Sequence, residues 1–128
     1  ILIAKMMPAG RAIIFPDNEK SYILGSDVVK VVPNSSVDSR YLVYATKSQF
    51  YLDQIADDTQ GSTRARTSVS KLRKTAILFP EKDEQIAIAD ILSEMDMEIA
   101  ALEGKIAKYR QIKQGMMQQL LTGKIRLV

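Results

Sequence analysis

Residues Asp83 to Thr122 read as one uninterrupted amphipathic helix, and that helix constrains everything else the chain can fold into. At roughly 1.5 Å per residue it would reach about 60 Å, against about 30 Å for the width of a small domain. A helix of that length must protrude, and it needs a partner along its length. The chain has 128 residues, so a rod in its last third leaves about 80 for a body, a marginal number for a self-sufficient core. The chain begins at Ile1 with no initiator Met. The expectation is a fragment or processed form whose upstream part completes the body.

Along the rod, Ile88, Leu92, Met95, Ile99, Leu102, Ile106, Tyr109, Lys113, Met116 and Leu120 follow one another at alternating spacings of four and three. All are apolar except Lys113. Several heptads in succession favour a coiled coil over an ordinary surface helix. Asp83 is the expected N-cap and Glu84 suits the positive end of the helix dipole. Gly123 is the expected residue just past the end.

Charge is divided along the same helix. Asp83, Glu84, Asp90, Glu94, Asp96, Glu98 and Glu103 fill its first half without a basic residue, and Lys105, Lys108, Arg110 and Lys113 fill the second without an acid. In a parallel pair like charges would face each other. In an antiparallel pair the acidic halves lie against the basic halves, so an antiparallel partner of similar design is expected. The competing reading packs the apolar stripe on the body, but so short a body would cover only part of it. Met95, Met97, Met116 and Met117 read as pliable packing rather than a ligand site.

Before the rod, Ile1 to Lys5, Ala12 to Phe15 and Val28 to Val32 are strand candidates. Pro8-Ala-Gly10 marks a turn, and Pro16 and Pro33 stop the second and third runs. A helix is expected to start at Ser35 or Ser36 and to carry Val37, Tyr41, Leu42, Tyr44 and Ala45 on one face. A second helix covers Gln49 to Ile55, a polar loop runs from Asp57 to Arg64, and Ser68 to Lys74 forms one or two helical turns. Thr75 to Phe79 is a fourth strand candidate. The mixture indicates a small α+β body, residues 1–80, followed by the long helix, residues 81–128.

The chain has no Cys and no His. Disulfides, thiolate or histidine metal sites and Ser–His or Cys–His nucleophile pairs are therefore excluded. Asp27-Val-Val-Lys30 has two residues between acid and lysine where a metal-dependent nuclease core needs one. No carboxylate pair suggests acid–base work, so no enzyme activity and no cofactor is expected. No apolar run approaches the roughly 20 residues of a membrane span, which makes a cytoplasmic protein the default.

Residues 1–80 carry eleven basic and seven acidic residues, whereas residues 81–128 carry seven and eight. Much of the excess sits between Thr63 and Lys74, where Arg64, Arg66, Lys71, Arg73 and Lys74 are interleaved with hydroxyls and no acid. Such a segment can neutralise phosphates, and Arg can fork onto guanine O6 and N7. It can equally be a solvated surface loop.

Leu78-Phe-Pro-Glu-Lys-Asp-Glu-Gln-Ile-Ala-Ile-Ala-Asp-Ile-Leu92 resembles the conserved region of the specificity subunits of type I restriction-modification enzymes. Ile99 to Ile106 and Tyr109 to Lys124 are similar to the way these subunits end, most specifically at Lys113-Gln-Gly115 and Leu121-Thr-Gly-Lys124. Ile1 to Lys5 with Gly10, Arg40-Tyr-Leu-Val-Tyr44, and Gly61-Ser-Thr-Arg64 with Ser70 and Leu72 resemble the later part of a target-recognition domain. The resemblance covers nearly the whole chain. Its one departure is that a family recognition domain starts well upstream of Ile1.

The resemblance implies that the body is the distal part of a domain reading half of a split target in double-stranded DNA. Arg64 and Arg66 would face the DNA, with Lys71, Arg73 and Lys74 on phosphates. The helix would pair with a second conserved helix or a second copy, and dock the methyltransferase and restriction subunits that carry the chemistry. The alternative is a truncated oligomerisation module that pairs through the helix without binding DNA.

Overall fold

The computed structural model describes residues 1–6, 8–16, 22–57 and 66–128. These form two compact units, Ile1–Asp90 and Ile91–Val128. The first holds strands β1 (Leu2–Ala4), β2 (Ala12–Ile13) and β3 (Val28–Lys30) and helices α1 (Ser39–Ala45), α2 (Gln49–Asp57) and α3 (Val69–Leu72). Helix α4 (Lys82–Leu120) begins in the first unit and makes up most of the second. The α+β class expected from the sequence is the class observed.

The sheet has the order β2-β1-β3, antiparallel throughout. Ile3 stands opposite Ala12 on one side and Val29 on the other, and Ile3 and Ala12 are both buried. The regular strands are shorter than the apolar runs that announce them. Backbone pairing nonetheless runs past their ends, with Lys5 N donating to Asp27 O and Val31 N to Ile1 O.

Gly10 makes the turn between β1 and β2 at φ 79°, a conformation that costs glycine nothing. A Cβ at this position would stand 2.9 Å from Ile55 Cγ1. The Tyr51 hydroxyl donates to Gly10 O at 3.0 Å, so helix α2 holds the turn from behind. Ala9, Tyr51 and Ile55 form the buried core, with Leu52, Leu72 and Ile77 packed against it. Burial raises the Tyr51 phenol above its ordinary pKa. Thr46, fully buried at the end of α1, accepts from Ala12 N and donates to Val43 O, tying α1 to β2.

Helix α1 starts later than expected from Ser35 or Ser36. The Asn34 side chain accepts from both Ser36 N and Ser36 Oγ, which holds this stretch in a turn. Asp38 is the N-cap instead, accepting from Arg40 N and Tyr41 N. Val37 therefore lies before the helix.

Thr75 to Phe79 is not a strand. Side chains claim its backbone groups where a ladder would: Gln54 accepts from Ala76 N and donates to Ala76 O, and Tyr41 Oη donates to Leu78 O at 2.6 Å. Partial burial, and then the nearby Glu84 carboxylate, raise the Tyr41 phenol above its ordinary pKa.

Helix α4 begins before Asp83. Its first bond runs from Gln85 N to Glu81 O, so Glu81 takes the cap position. Asp83 joins Glu84 in the first turn, where both charges still suit the dipole. Gln85 is 2% exposed. Its amide accepts from Asp38 N at 2.9 Å and donates to Ser36 O and Pro80 O at 3.2 and 2.8 Å. One side chain thus joins the first turn of α4 to the cap of α1.

Beside that amide, Arg40 reaches Asp90 at 2.6 Å and Asp38 at 3.6 Å, and the hydrogen bond to Asp90 is the main cause of its raised pKa. The Arg40 and Asp90 side chains are about half exposed, so that pair adds little stability. At its far end α4 stops at Leu120, two residues short of Thr122. Gly123 closes it at φ 70°, donating to Leu120 O, as expected of the residue past the end.

Candidate nucleic-acid interface and pairing helix

The basic segment is positioned by the end of β1. Arg66 bridges Met6 in antiparallel fashion, and Thr67 N donates to Lys5 O at 2.8 Å. Ser68 then caps α3 by accepting from Lys71 N. One turn later Leu72 is packed against the core, which fixes the register of the residues around it. Arg73 ends the turn, and Thr75 Oγ1 donates to Lys71 O.

This geometry divides the basic residues. Arg66 and Lys71 line one open groove with Lys5, Thr67, Ser68 and Val69. Arg73 instead borders an apolar cleft walled by Ile3, Val29, Val37, Leu42 and Phe79. Lys74 is exposed and lines neither. Arg64 lies outside the described residues.

Arg66 Nη2 is 3.1 Å from Asp27 Oδ1, with both side chains about half exposed. The aspartate just before β3 therefore partly offsets the arginine. Thr67 is 1% exposed, and its hydroxyl has no hydrogen-bond partner among the described residues.

Lys5, Asp27 and Thr67 were not legible as members of this site. They come from three separate stretches, and backbone pairing on the end of β1 assembles them: Lys5 N donates to Asp27 O, and Thr67 N donates to Lys5 O. No local pattern carries that information.

On α4, burial in the first turns falls on Gln85 and Ala89, while Ile88 and Leu92 are half-buried. Further on, Met95, Ile99, Leu102, Ile106, Tyr109 and Met116 are 45% to 60% exposed. Leu120, at the end of the seam, is half-buried. Within Ile91–Val128 the seam is thus an apolar stripe left largely open to solvent. Gly104 and Gly115 lie off this seam, and an added Cβ at either would meet nothing within 4 Å.

The chain thus combines a small α+β unit, with a basic segment pinned to its sheet, and a long helix bearing an uncovered apolar seam. The chain belongs to the family of type I restriction modification DNA specificity domains, whose model matches residues 1–111. That match takes in all of Ile1–Asp90 and most of α4. The family provides DNA-sequence specificity in type I restriction-modification and is one of recognition rather than catalysis. No solved structure gives a significant match. Among the described residues, no helix is long and apolar enough to cross a membrane.

Proposed function

We propose that this chain is the DNA-reading and assembly part of a type I specificity subunit. Residues 1–80 serve as the distal part of a target-recognition domain for half of a split target. Residues 81–128 serve as the spacing helix. Arg64 and Arg66 face the duplex, and Lys71, Arg73 and Lys74 hold phosphates. The helix pairs antiparallel through Ile88, Leu92, Met95, Ile99, Leu102, Ile106, Tyr109, Met116 and Leu120, with either a second copy or a second conserved helix. The pair sets the distance between half-sites and docks the methyltransferase and restriction subunits, which carry out methylation and cleavage. A cytoplasmic place follows from that duty, since the DNA and the partner subunits are there.

The family match over residues 1–111 is the observation that carries this reading. The open seam of α4 and its divided charge support the pairing. Two variants separate the two duties. Arg64→Glu with Arg66→Glu weakens salt-dependent duplex binding and leaves the oligomeric state unchanged. Leu102→Asp places a carboxylate in the seam and makes pairs dissociate. A wild-type chain that binds no duplex at low salt would leave only the oligomerisation module. A wild-type chain already monomeric by light scattering at high concentration would sink the paired helix.

A further inference from the structure

Strand β3 is an edge of the sheet, with β1 on one side of it and no strand on the other among the described residues. Lys5 N donates to Asp27 O, Val31 N donates to Ile1 O, and Val29 stands opposite Ile3. Residues 27, 29 and 31 therefore turn their backbone groups toward β1, and alternation turns those of Lys30 away from it. Neither the N–H nor the C=O of Lys30 has a hydrogen-bond partner among the described residues. Val29 and Val31 share the face of buried Ile3, and there they line the apolar cleft, which continues to Leu72 and Phe79 and measures about 460 Å³. Clefts of roughly 300–1,000 Å³ receive bound groups. Alternation puts the Lys30 side chain on the opposite face of the strand, where it is exposed and engaged in no ion pair among the described residues. The lining of the cleft contains no acid, and its charged members are Lys30 and Arg73.

We propose that the β3 edge and its cleft dock an extended segment of another polypeptide, apolar on one face and acidic on the other, as a fourth strand of the sheet. The inference goes beyond the DNA-reading function and does not depend on it. An antiparallel strand exchanges both backbone bonds with Lys30, and the residue directly opposite Lys30 lies on the same face as its side chain. A carboxylate at that position meets the ammonium group. The residues on either side of it point to the other face and enter the cleft beside Val29 and Val31. Main-chain bonds supply the affinity in such strand addition, and the pockets for alternate side chains supply the choice. Lys30 also decides among occupants. An edge lysine guards against pairing with like strands, and a second copy laid antiparallel about Lys30 would set two ammonium groups face to face. A partner with a carboxylate there turns the guard into a contact.

The test titrates the full chain into a labelled, end-blocked octapeptide of alternating valine and glutamate at neutral pH, read by fluorescence anisotropy. Saturable binding is expected. Methylating the backbone nitrogens of the glutamates is expected to abolish it, because those N–H groups face Lys30 C=O. Methylating those of the valines, which face away, is expected to leave it intact. Lys30→Glu is expected to weaken binding about fivefold and to accept the matching valine–lysine peptide instead. A wild type with no saturable binding would overturn the proposal. Equal effects of the two methylations would also overturn it, since no strand edge would then be paired. A wild type that binds the valine–lysine peptide as tightly as the valine–glutamate one would overturn the acidic partner. A Leu102→Asp chain that still pairs, and that separates once Lys30→Glu is added, would overturn the proposal in favour of a second copy on this edge.

Discussion

Replacing Gln85 tests whether the first turn of α4 is held by one amide. The side chain is buried and satisfies three backbone groups: Asp38 N–H, Ser36 C=O and Pro80 C=O. Gln85→Ala leaves all three without that partner. A buried polar group stripped of its partner costs about 1–3 kcal/mol, with the lower end applying where water can reach it. These three bonds are only part-buried, so about 1 kcal/mol each is the appropriate choice, or roughly 3 kcal/mol in all. That is a large share of the roughly 5–15 kcal/mol that keeps a domain folded. With a urea dependence near 2 kcal/mol per molar, the midpoint should fall by about 1.5 M.

Gln85→Glu separates the hydrogen-bond argument from simple packing loss, because it keeps the shape. Its carboxylate can still accept from Asp38 N–H, but it turns negative oxygen toward two carbonyls. Burial and those carbonyls raise its pKa in the folded chain above the ordinary value of about 4.3. The folded state then binds more protons than the unfolded state between the two values. Stability is therefore highest below the ordinary pKa and falls as pH rises through the raised one. Urea titrations followed by circular dichroism, from pH 4 to 8, read both effects. A Gln85→Ala midpoint within about 0.25 M of wild type, roughly 0.5 kcal/mol, together with a Gln85→Glu stability no more pH-dependent than the parent, would refute the reasoning.

Two further outcomes follow from single features. Tyr51 has a pKa raised above 10.0 by burial, so the folded chain holds the phenol proton longer than the unfolded chain, and stability should decline as pH climbs past 10. Tyr51→Phe should show a shallower decline in Tm across pH 9–11 while losing about 1 kcal/mol at neutral pH with the bond to Gly10 O. Gly104→Ala with Gly115→Ala should stabilise α4 by about 1 kcal/mol per site and leave pairing intact by sedimentation equilibrium, since both positions lie off the seam. Loss of pairing in that variant would place the glycines in the contact and refute the seam as drawn.

Local signals were legible where the physics is local. The 3.6-residue period announced α4, Gly10 announced a turn and Gly123 the end of the helix, and the Ser68 stretch, read as one or two helical turns, forms the short α3. Capping was harder where several candidates stood together. Asn34 captures Ser36, so Asp38 becomes the cap of α1 although Ser35 and Ser36 are as good by type. Thr75 to Phe79 has the composition of a strand, yet Gln54 and Tyr41 take the hydrogen bonds a neighbouring strand would have made. Gln85 is polar and looks like a first-turn surface residue. Only the positions of Ser36, Asp38 and Pro80 around it explain why it is the buried one. The groove was illegible for the same reason, because Lys5 and Thr67 meet through backbone pairing across most of the unit.

The split of the basic segment changes what one body can achieve on DNA. Of the four described cations of the basic segment, the fold puts Arg66 and Lys71 into the groove and leaves Arg73 and Lys74 out of its lining, and Arg66 is shared with Asp27. Each phosphate contact contributes about 0.9 to the salt slope, so a body that holds two or three phosphates, as under the proposed function, has a slope of about two to three. One body therefore binds weakly even though so small a slope costs it only about tenfold to fortyfold in affinity between 50 and 200 mM salt. Two bodies held on one duplex by a paired helix would double the contacts, and the second would bind at the high effective concentration set by the first. Under the proposed function, DNA affinity therefore depends on the seam as much as on the basic residues. Leu102 is not among the residues that line the groove, yet Leu102→Asp should lower duplex affinity at 0.15 M salt together with the loss of pairing. Full affinity in a chain that no longer pairs would show that each body binds alone.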